Sequence, residues 1–236
     1  MDMDTFLQGF KLRLRRSSSV RQAYSLFTKA KLPVPRAVRP VGRMFYDFLC
    51  AIGFVLKRFK SLIYSQPLFE CQCEQVGARL SLVECPAVHG NPSIVIGDDL
   101  NVSGSLFITS GRIFDRPSLR IGNRVFIGHD VTISCNREVV IEDDVLIAAK
   151  CRISDNDGHP ILLPERLAGL PQTRDSILPV RICRGAWIGA GTFILKGVTI
   201  GEGCVVGANC VVTRDLPAFT VVAAAPATIV NRTAVA

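Results

Sequence analysis

At 236 residues, with 48% hydrophobic residues and 19 glycines, the chain can bury one sizeable core plus a smaller appendage, which excludes a disordered polymer. The formal charge of +8 is unevenly spread: residues 1–60 hold 13 Lys/Arg against 3 Asp/Glu, and the remainder holds 15 against 17. A basic nucleic-acid-binding face over the larger part is therefore excluded, and no nucleic-acid partner is expected.

The N-terminal segment is basic and moderately apolar. Phe6, Leu7, Phe10 and Leu14 fall at helical spacing beside Lys11, Arg15 and Arg16, a pattern interrupted too often by charge for a secretory leader. Pro33, Pro35 and Pro40 break any helix there. The apolar run Met44 to Leu56, followed by Lys57, Arg58 and Lys60, is too short and, at Asp47, too polar to span a bilayer. It suits a helix lying in a membrane interface or capping the following domain, and its cations suit an anionic cytoplasmic leaflet. Residues 1–65 are thus expected to form a basic, amphipathic, helical segment. The expected location is cytoplasmic, at the inner membrane face.

Residues 65–92, punctuated by Pro67, Pro86 and Pro92, read as a transition. From Ile94 onward aliphatic residues recur at sixes: Ile96, Val102 and Ile108, then Ile121, Ile127 and Ile133, then Ile141, Ile147 and Ile153. Residues 111–118 break the register, and a two-residue slip separates Val139 from Ile141. The clearest run is Ile182, Ile188, Ile194, Ile200, Val206 and Val212, with Gly189, Gly201 and Gly207 directly following three of them. A period of six is neither helical nor a plain strand alternation. It marks a solenoid of short strands with about 18 residues per turn and a ladder of aliphatic residues inside. Each fully buried rung contributes about 1.5–3 kcal/mol.

Nine cysteines provide no clean disulfide or zinc framework, since Cys71 and Cys73 have no second pair at finger spacing. Cys135, Cys151, Cys183, Cys204 and Cys210 fall inside repeat units, where a small apolar residue is wanted, and read as buried reduced thiols.

One large interruption spans residues 160–179, with Pro160, Pro164, Pro171 and Pro179 among polar residues. Long excursions from a compact scaffold usually serve a site. Immediately before it stands Ser154-Asp155-Asn156-Asp157-Gly158-His159-Pro160. His159 is one of three histidines, and a neutral imidazole there can accept a hydroxyl proton. Asp155 and Asp157 can orient that imidazole, bind sugar hydroxyls, or simply satisfy turn backbone.

The strings Trp187-Ile188-Gly189-Ala190-Gly191, Gly197-Val198-Thr199-Ile200-Gly201, Val206-Gly207-Ala208 and Val211-Val212-Thr213-Arg214-Asp215-Leu216-Pro217, with a His-Pro before a loop, resemble the hexapeptide-repeat acyltransferases, in their sugar O-acetyltransferase branch. The resemblance covers residues 94–230. It implies an all-β fold, a left-handed parallel β-helix over residues 66–236 with the 160–179 insertion, against the usual right-handed crossover preference. It further implies acetyl-CoA as co-substrate with no metal, and His159 as general base. The active site would lie between subunits of a homotrimer, with a sugar or glycan acceptor. On the acceptor side the resemblance places Asn136 and Trp187 beside Asp155 and Asp157. Along the later coils it places CoA contacts at Ala190, Ala208, Thr213 and Arg214. The last coil reads Ala224-Ala225-Pro226-Ala227-Thr228 where the family has Gly-x-Pro followed by a small and a basic residue. Pro226 keeps the motif and Arg232 is left to replace the lost cation.

The basic N-terminal segment points to a surface or lipid-linked glycan as acceptor. Two other readings stand beside it: a soluble acetyltransferase of a small hydroxyl compound such as an antibiotic, and a non-catalytic hexapeptide-repeat scaffold. A metal-bearing relative of the carbonic-anhydrase type would need three suitably placed histidines, which His89, His129 and His159 do not offer by spacing.

Overall fold

The computed structural model describes residues 35–225, and Pro226 and Arg232 lie outside the described residues. The chain divides into two compact units, residues 1–53 and 54–236. In the first unit, helix α1 begins at Arg39 and runs on to Lys60. Val41, Met44, Phe45, Phe48, Leu49 and Ile52 recur along it at helical spacing, and all are exposed. Arg39 and Arg43 project from the other side of the helix, by the same spacing. Among the described residues no helix is long and apolar enough to cross a membrane.

In the second unit a π-helical turn, Ser61–Ser65, leads into helix α2, Gln66–Glu70. These elements close the first coil of a solenoid. Gln66 Nε2 donates to the Leu80 carbonyl at 2.6 Å, Ser61 Oγ donates to the Leu82 carbonyl, and Phe69 is wholly buried. The tie matters because a solenoid end would otherwise expose its core and an unpaired strand edge.

The solenoid is a left-handed parallel β-helix. Among the described residues nineteen short strands, β1 (Gln75–Val76) to β19 (Val221–Val222), build three parallel sheets. Sheet A runs β1-β4-β7-β10-β13-β16, sheet C runs β3-β6-β9-β12-β15-β18, and sheet B holds the other seven. Each of the first six coils contributes one strand to each sheet, and β19 adds a seventh strand to sheet B. In the tightest part Thr199 pairs with Arg181, so one turn takes 18 residues. Inward residues stack in three columns: Ile121, Ile141, Ile182 and Ile200 under sheet A; Ile127, Ile147, Ile188 and Val206 under sheet B; Ile133, Ile153, Ile194 and Val212 under sheet C. All are at most 5% exposed. The six-residue period is the distance between columns.

Two details differ from the sequence reading. Coiling begins a full turn earlier than Ile94, at β1, and Val76, Leu82 and Val88 are its inward residues. They are spaced at sixes, but Glu84, Cys85 and Pro86 between them mask the pattern. The slip at Val139–Ile141 is a longer strand, β10 (Glu138–Ile141), whose two inward residues are both buried. Strand alternation accounts for it without any break in the coil.

Small buried residues occupy the bends between sheets. Cys151, Cys204 and Cys210 sit there beside Ala186 and Thr192, at positions that Leu100, Leu106, Val125 and Val145 fill in the earlier coils. Cys135 is also buried; Cys183 is only half-buried, so the expectation of a buried thiol holds there in part. Gly189 shows why glycine follows a rung: a Cβ there would stand 2.6 Å from the Ala208 nitrogen of the next coil.

Candidate active site

The site is built at the corner where the chain leaves sheet C. Strands β9 (Val131–Ser134), β12 (Arg152–Ser154) and β15 (Phe193–Ile194) lie side by side. The residues following each of them form one column, and Asp155 is its anchor. Its carboxylate is fully buried and accepts from the backbone N–H of Asn136 at 2.8 Å, Arg137 at 2.6 Å and Glu138 at 3.0 Å. Asn156 Nδ2 donates to it at 2.9 Å and to Ser134 Oγ at 2.9 Å. A buried carboxylate survives because four donors replace its water.

The Asp155 carbonyl accepts from the Leu178 N–H at 2.9 Å, which pins the far root of the 160–179 insertion. Asn136 Oδ1 in turn accepts from the Gly111 N–H at 2.6 Å, drawing in the loop that broke the register at 111–118. Three chain segments therefore meet at one polar hub. Asp155 has no exposed oxygen for a sugar hydroxyl; its work here is to hold backbone, the reading left open for turn aspartates. Asn136 likewise uses its amide oxygen to hold Gly111.

Asp157 is exposed and paired with Lys196 Nζ, which also donates to the Ser176 carbonyl at 2.9 Å. Lys196 belongs to the next coil, so this ion pair bridges two coils and the insertion. Its partner is not visible in the linear motif, but Lys196 is two residues beyond the rung Ile194, as Asp155 is two beyond Ile153. Column register was the signal that could have found it. Gln172 is buried and its Oε1 accepts from the Asp157 N–H at 3.4 Å. Helix α3, Leu163–Leu167, occupies the insertion's middle, and Ile161, Leu162, Leu163 and Leu167 are exposed.

His159 projects from this locked segment one residue after Gly158, whose φ of +81° is in the left-handed region. It is exposed. Among the described residues, the corner thus presents the His159 imidazole without a hydrogen-bond partner, on a backbone fixed from below by Asp155 and from the side by Asp157–Lys196. Cys135, beside the hub, is no rival nucleophile: burial, with the Asp155 charge adding to it, pushes its thiol well above the ordinary range.

The other expected residues separate into two groups. Ala190 and Ala208 are exposed and stack one above the other at the bend between sheets B and C, with the Asn209 N–H donating to the Ala190 carbonyl at 2.8 Å. Thr213 and Arg214 stand at the opposite edge of sheet C, lining a groove with Val211, Val212, Ala224 and Ala225. Arg214 continues the column of Asp155 and Lys196. Trp187 is not part of this corner within one chain. It lies on the outer face of sheet B, 52% exposed, in register with Leu146 and Val205.

Residues 179–214 match the family described as bacterial transferase hexapeptide (six repeats). The matched stretch falls within the three-sheet coil, from the root of β13 (Val180–Ile182) to just past β18 (Val211–Val212), and is similar there to the hexapeptide repeats of bacterial transferases. A Saccharomyces cerevisiae protein bearing an acetyltransferase name is 36% identical over 115 residues, covering 49% of this chain and 56% of its own. A Mycobacterium tuberculosis protein, also named as an acetyltransferase, is 38% identical over 116 residues, covering 48% of this chain and 37% of its own. The chain therefore spans about half or less of the relatives it matches. Among solved structures, a Vibrio cholerae hexapeptide-repeat acetyltransferase complexed with acetyl-CoA superposes with a TM-score of 0.47, at 24% identity, over 70% of this chain and 74% of its own.

Proposed function

We propose that the chain is an acetyl-CoA-dependent O-acetyltransferase acting on a sugar hydroxyl of a surface or lipid-linked glycan, with His159 as general base. The hydroxyl oxygen attacks the thioester carbon, the C–S bond breaks, and the proton passes through the His159 imidazole to the departing CoA sulfur. No covalent enzyme intermediate is needed when donor and acceptor are held together. The observation that carries this reading is the exposed His159 on a corner fixed by the Asp155 hub. The acetyltransferase names of two relatives supply the transferred group.

CoA lies, in this reading, along sheet C of the last coils. The exposed Ala190 and Ala208 let the pantetheine arm approach backbone, and Arg214 meets a phosphate. Pro226 and Arg232 complete the nucleotide end. Trp187 reaches the acceptor across a subunit boundary of a homotrimer. The exposed row of Phe126, Leu146, Trp187 and Val221 on sheet B supports such a boundary, because a second chain would bury it.

The protein works at the cytoplasmic face of a membrane, where the exposed apolar row of α1 and the cations Arg39, Arg43, Lys57 and Arg58 suit an anionic interface. The test of the chemistry is mass-spectrometric detection of acetylated product from acetyl-CoA and a panel of nucleotide sugars and glycan fragments, with wild type and His159→Ala. Equal product from both would remove His159 as base. Acetyl-CoA binding without product on any sugar would direct the search to small non-sugar alcohols.

A further inference from the structure

We propose that Arg137 and Arg174 form a subsite for a carboxylate or phosphate group on the acceptor, so that the enzyme selects an anionic sugar over its neutral counterpart. The inference rests on the acetyl-transfer reading and adds the charge class of the acceptor.

Both guanidinium groups stand over one aromatic ring. The Arg174 Cζ is 5.0 Å from the Phe114 centroid and the Arg137 Cζ is 5.8 Å from it. Each comes from a different arm of the hub that carries His159: Phe114 from the 111–118 loop, Arg137 from the segment whose N–H groups Asp155 holds, Arg174 from the insertion. A ring contact holds a guanidinium by its face and leaves its N–H edge free, the edge that matches two oxyanion oxygens. Bringing two cations to one ring is unfavourable without a counter-charge. Among the described residues, neither has a carboxylate within 4.0 Å, although Glu138 follows Arg137 and Asp175 follows Arg174 in sequence. The Arg137 contact to protein oxygen is a long one, Nη1 to the Ile177 carbonyl at 3.4 Å.

The contrast with the corner leaving sheet A is informative. There Arg79 is paired with Asp99 at 2.5 Å, Arg124 with Asp144 at 2.6 Å, and Arg184 with Asp144 at 3.2 Å. Where this chain uses arginine to tie coils together it supplies the carboxylate. At the His159 corner Asp157 pairs with Lys196, whereas Arg137 and Arg174 have no such carboxylate among the described residues, on a framework already fixed by Asp155.

The experiment is a titration of full-length protein with inorganic phosphate and, separately, with acetate, following the Nε–Hε resonances of arginine by NMR. The expected result is a saturable shift at Arg137 and Arg174 with no comparable shift at Arg79 or Arg124. The stronger of the two anions identifies the acceptor group. The pair Arg137→Gln and Arg174→Gln is expected to weaken that anion's binding about tenfold or more, measured calorimetrically. His159→Ala is expected to leave the arginine shifts unchanged while abolishing transfer. A failure of the transfer reading is thus separable from a failure of the subsite. Shifts no larger at Arg137 and Arg174 than at Arg79 and Arg124 would overturn the proposal. So would acetyl transfer to methyl glucoside as efficient as transfer to methyl glucuronide and to glucose 6-phosphate.

Discussion

Two corners of the same coil are used in opposite ways. The corner leaving sheet A is a closed charge ladder. Arg124 and Arg184 share Asp144, Asn123 Nδ2 donates to Asp143, and Arg79 meets Asp99 one coil earlier. The corner leaving sheet C holds its carboxylate inside and sends its longest loops outward. One corner uses polar side chains to fasten neighbouring coils to each other. The other has one such side-chain tie, Asp157–Lys196, and otherwise holds backbone through the buried Asp155, leaving His159 to face solvent. A repeating scaffold can thus assign stability and chemistry to different edges, because each edge repeats independently.

The comparison breaks most sharply at His159. His159→Ala should lower acetyl transfer by about 10²–10⁴-fold, with the melting temperature and CoA binding unchanged, because the residue holds no other part of the corner. A parallel loss of melting temperature would place it on the structural side instead. Asp155→Ala should show the reverse order of effects. Three backbone N–H groups and the Asn156 amide lose their acceptor, so stability should fall by roughly 3 kcal/mol or more in denaturant titration, and activity should fall with it as the insertion root loosens. A rung change such as Ile147→Ala, in the column under sheet B, should cost about 2–5 kcal/mol without any selective effect on transfer at temperatures where the coil stays folded.

The smallest effect belongs to the sheet A ladder, which is solvent-exposed and screened by salt. Asp144 is held below its usual carboxylate range, first by its hydrogen bond from Arg124 and then by the one from Arg184. Asp143 is lowered chiefly by the Asn123 N–H. Groups with a lowered folded value contribute above their unfolded value, near the ordinary 3.8, and lose that contribution as pH falls through the folded one. Asp144→Asn should therefore flatten the stability profile only on its acid limb, and added salt should shrink the difference from wild type.

How much of this was legible in the sequence follows from what repeats and what does not. The rungs from Ile121 to Val212 are fixed by a period that nothing else produces, and their columns appear as expected. The first coil was hidden because Glu84, Cys85 and Pro86 obscure the spacing of Val76, Leu82 and Val88. His159 stood out through its place before an interruption. Its supports did not, since Asp155 meets Asn136 and Arg137 across nearly a full coil, and Lys196 meets Asp157 across the insertion. Asp155 and Asp157 look alike in the motif, yet one is buried and the other forms an exposed-side ion pair. Burial at a corner depends on which loops close over it, and six-residue arithmetic carries no information on that. Phe114, Arg137 and Arg174 were missed for the same reason.

The membrane reading of α1 is tested apart from both corners. Phe48→Glu in the full-length chain should reduce sedimentation with vesicles containing phosphatidylserine and leave transfer to a soluble acceptor unchanged. Unchanged sedimentation would count against it.

The most direct test of the account is the rate of acetyl-CoA consumption with a competent sugar acceptor, compared between wild type and His159→Ala at matched folded concentration. The account predicts that the variant binds acetyl-CoA as wild type does and forms acetylated sugar at no more than about one hundredth of the rate. Turnover within a few-fold of wild type would contradict it.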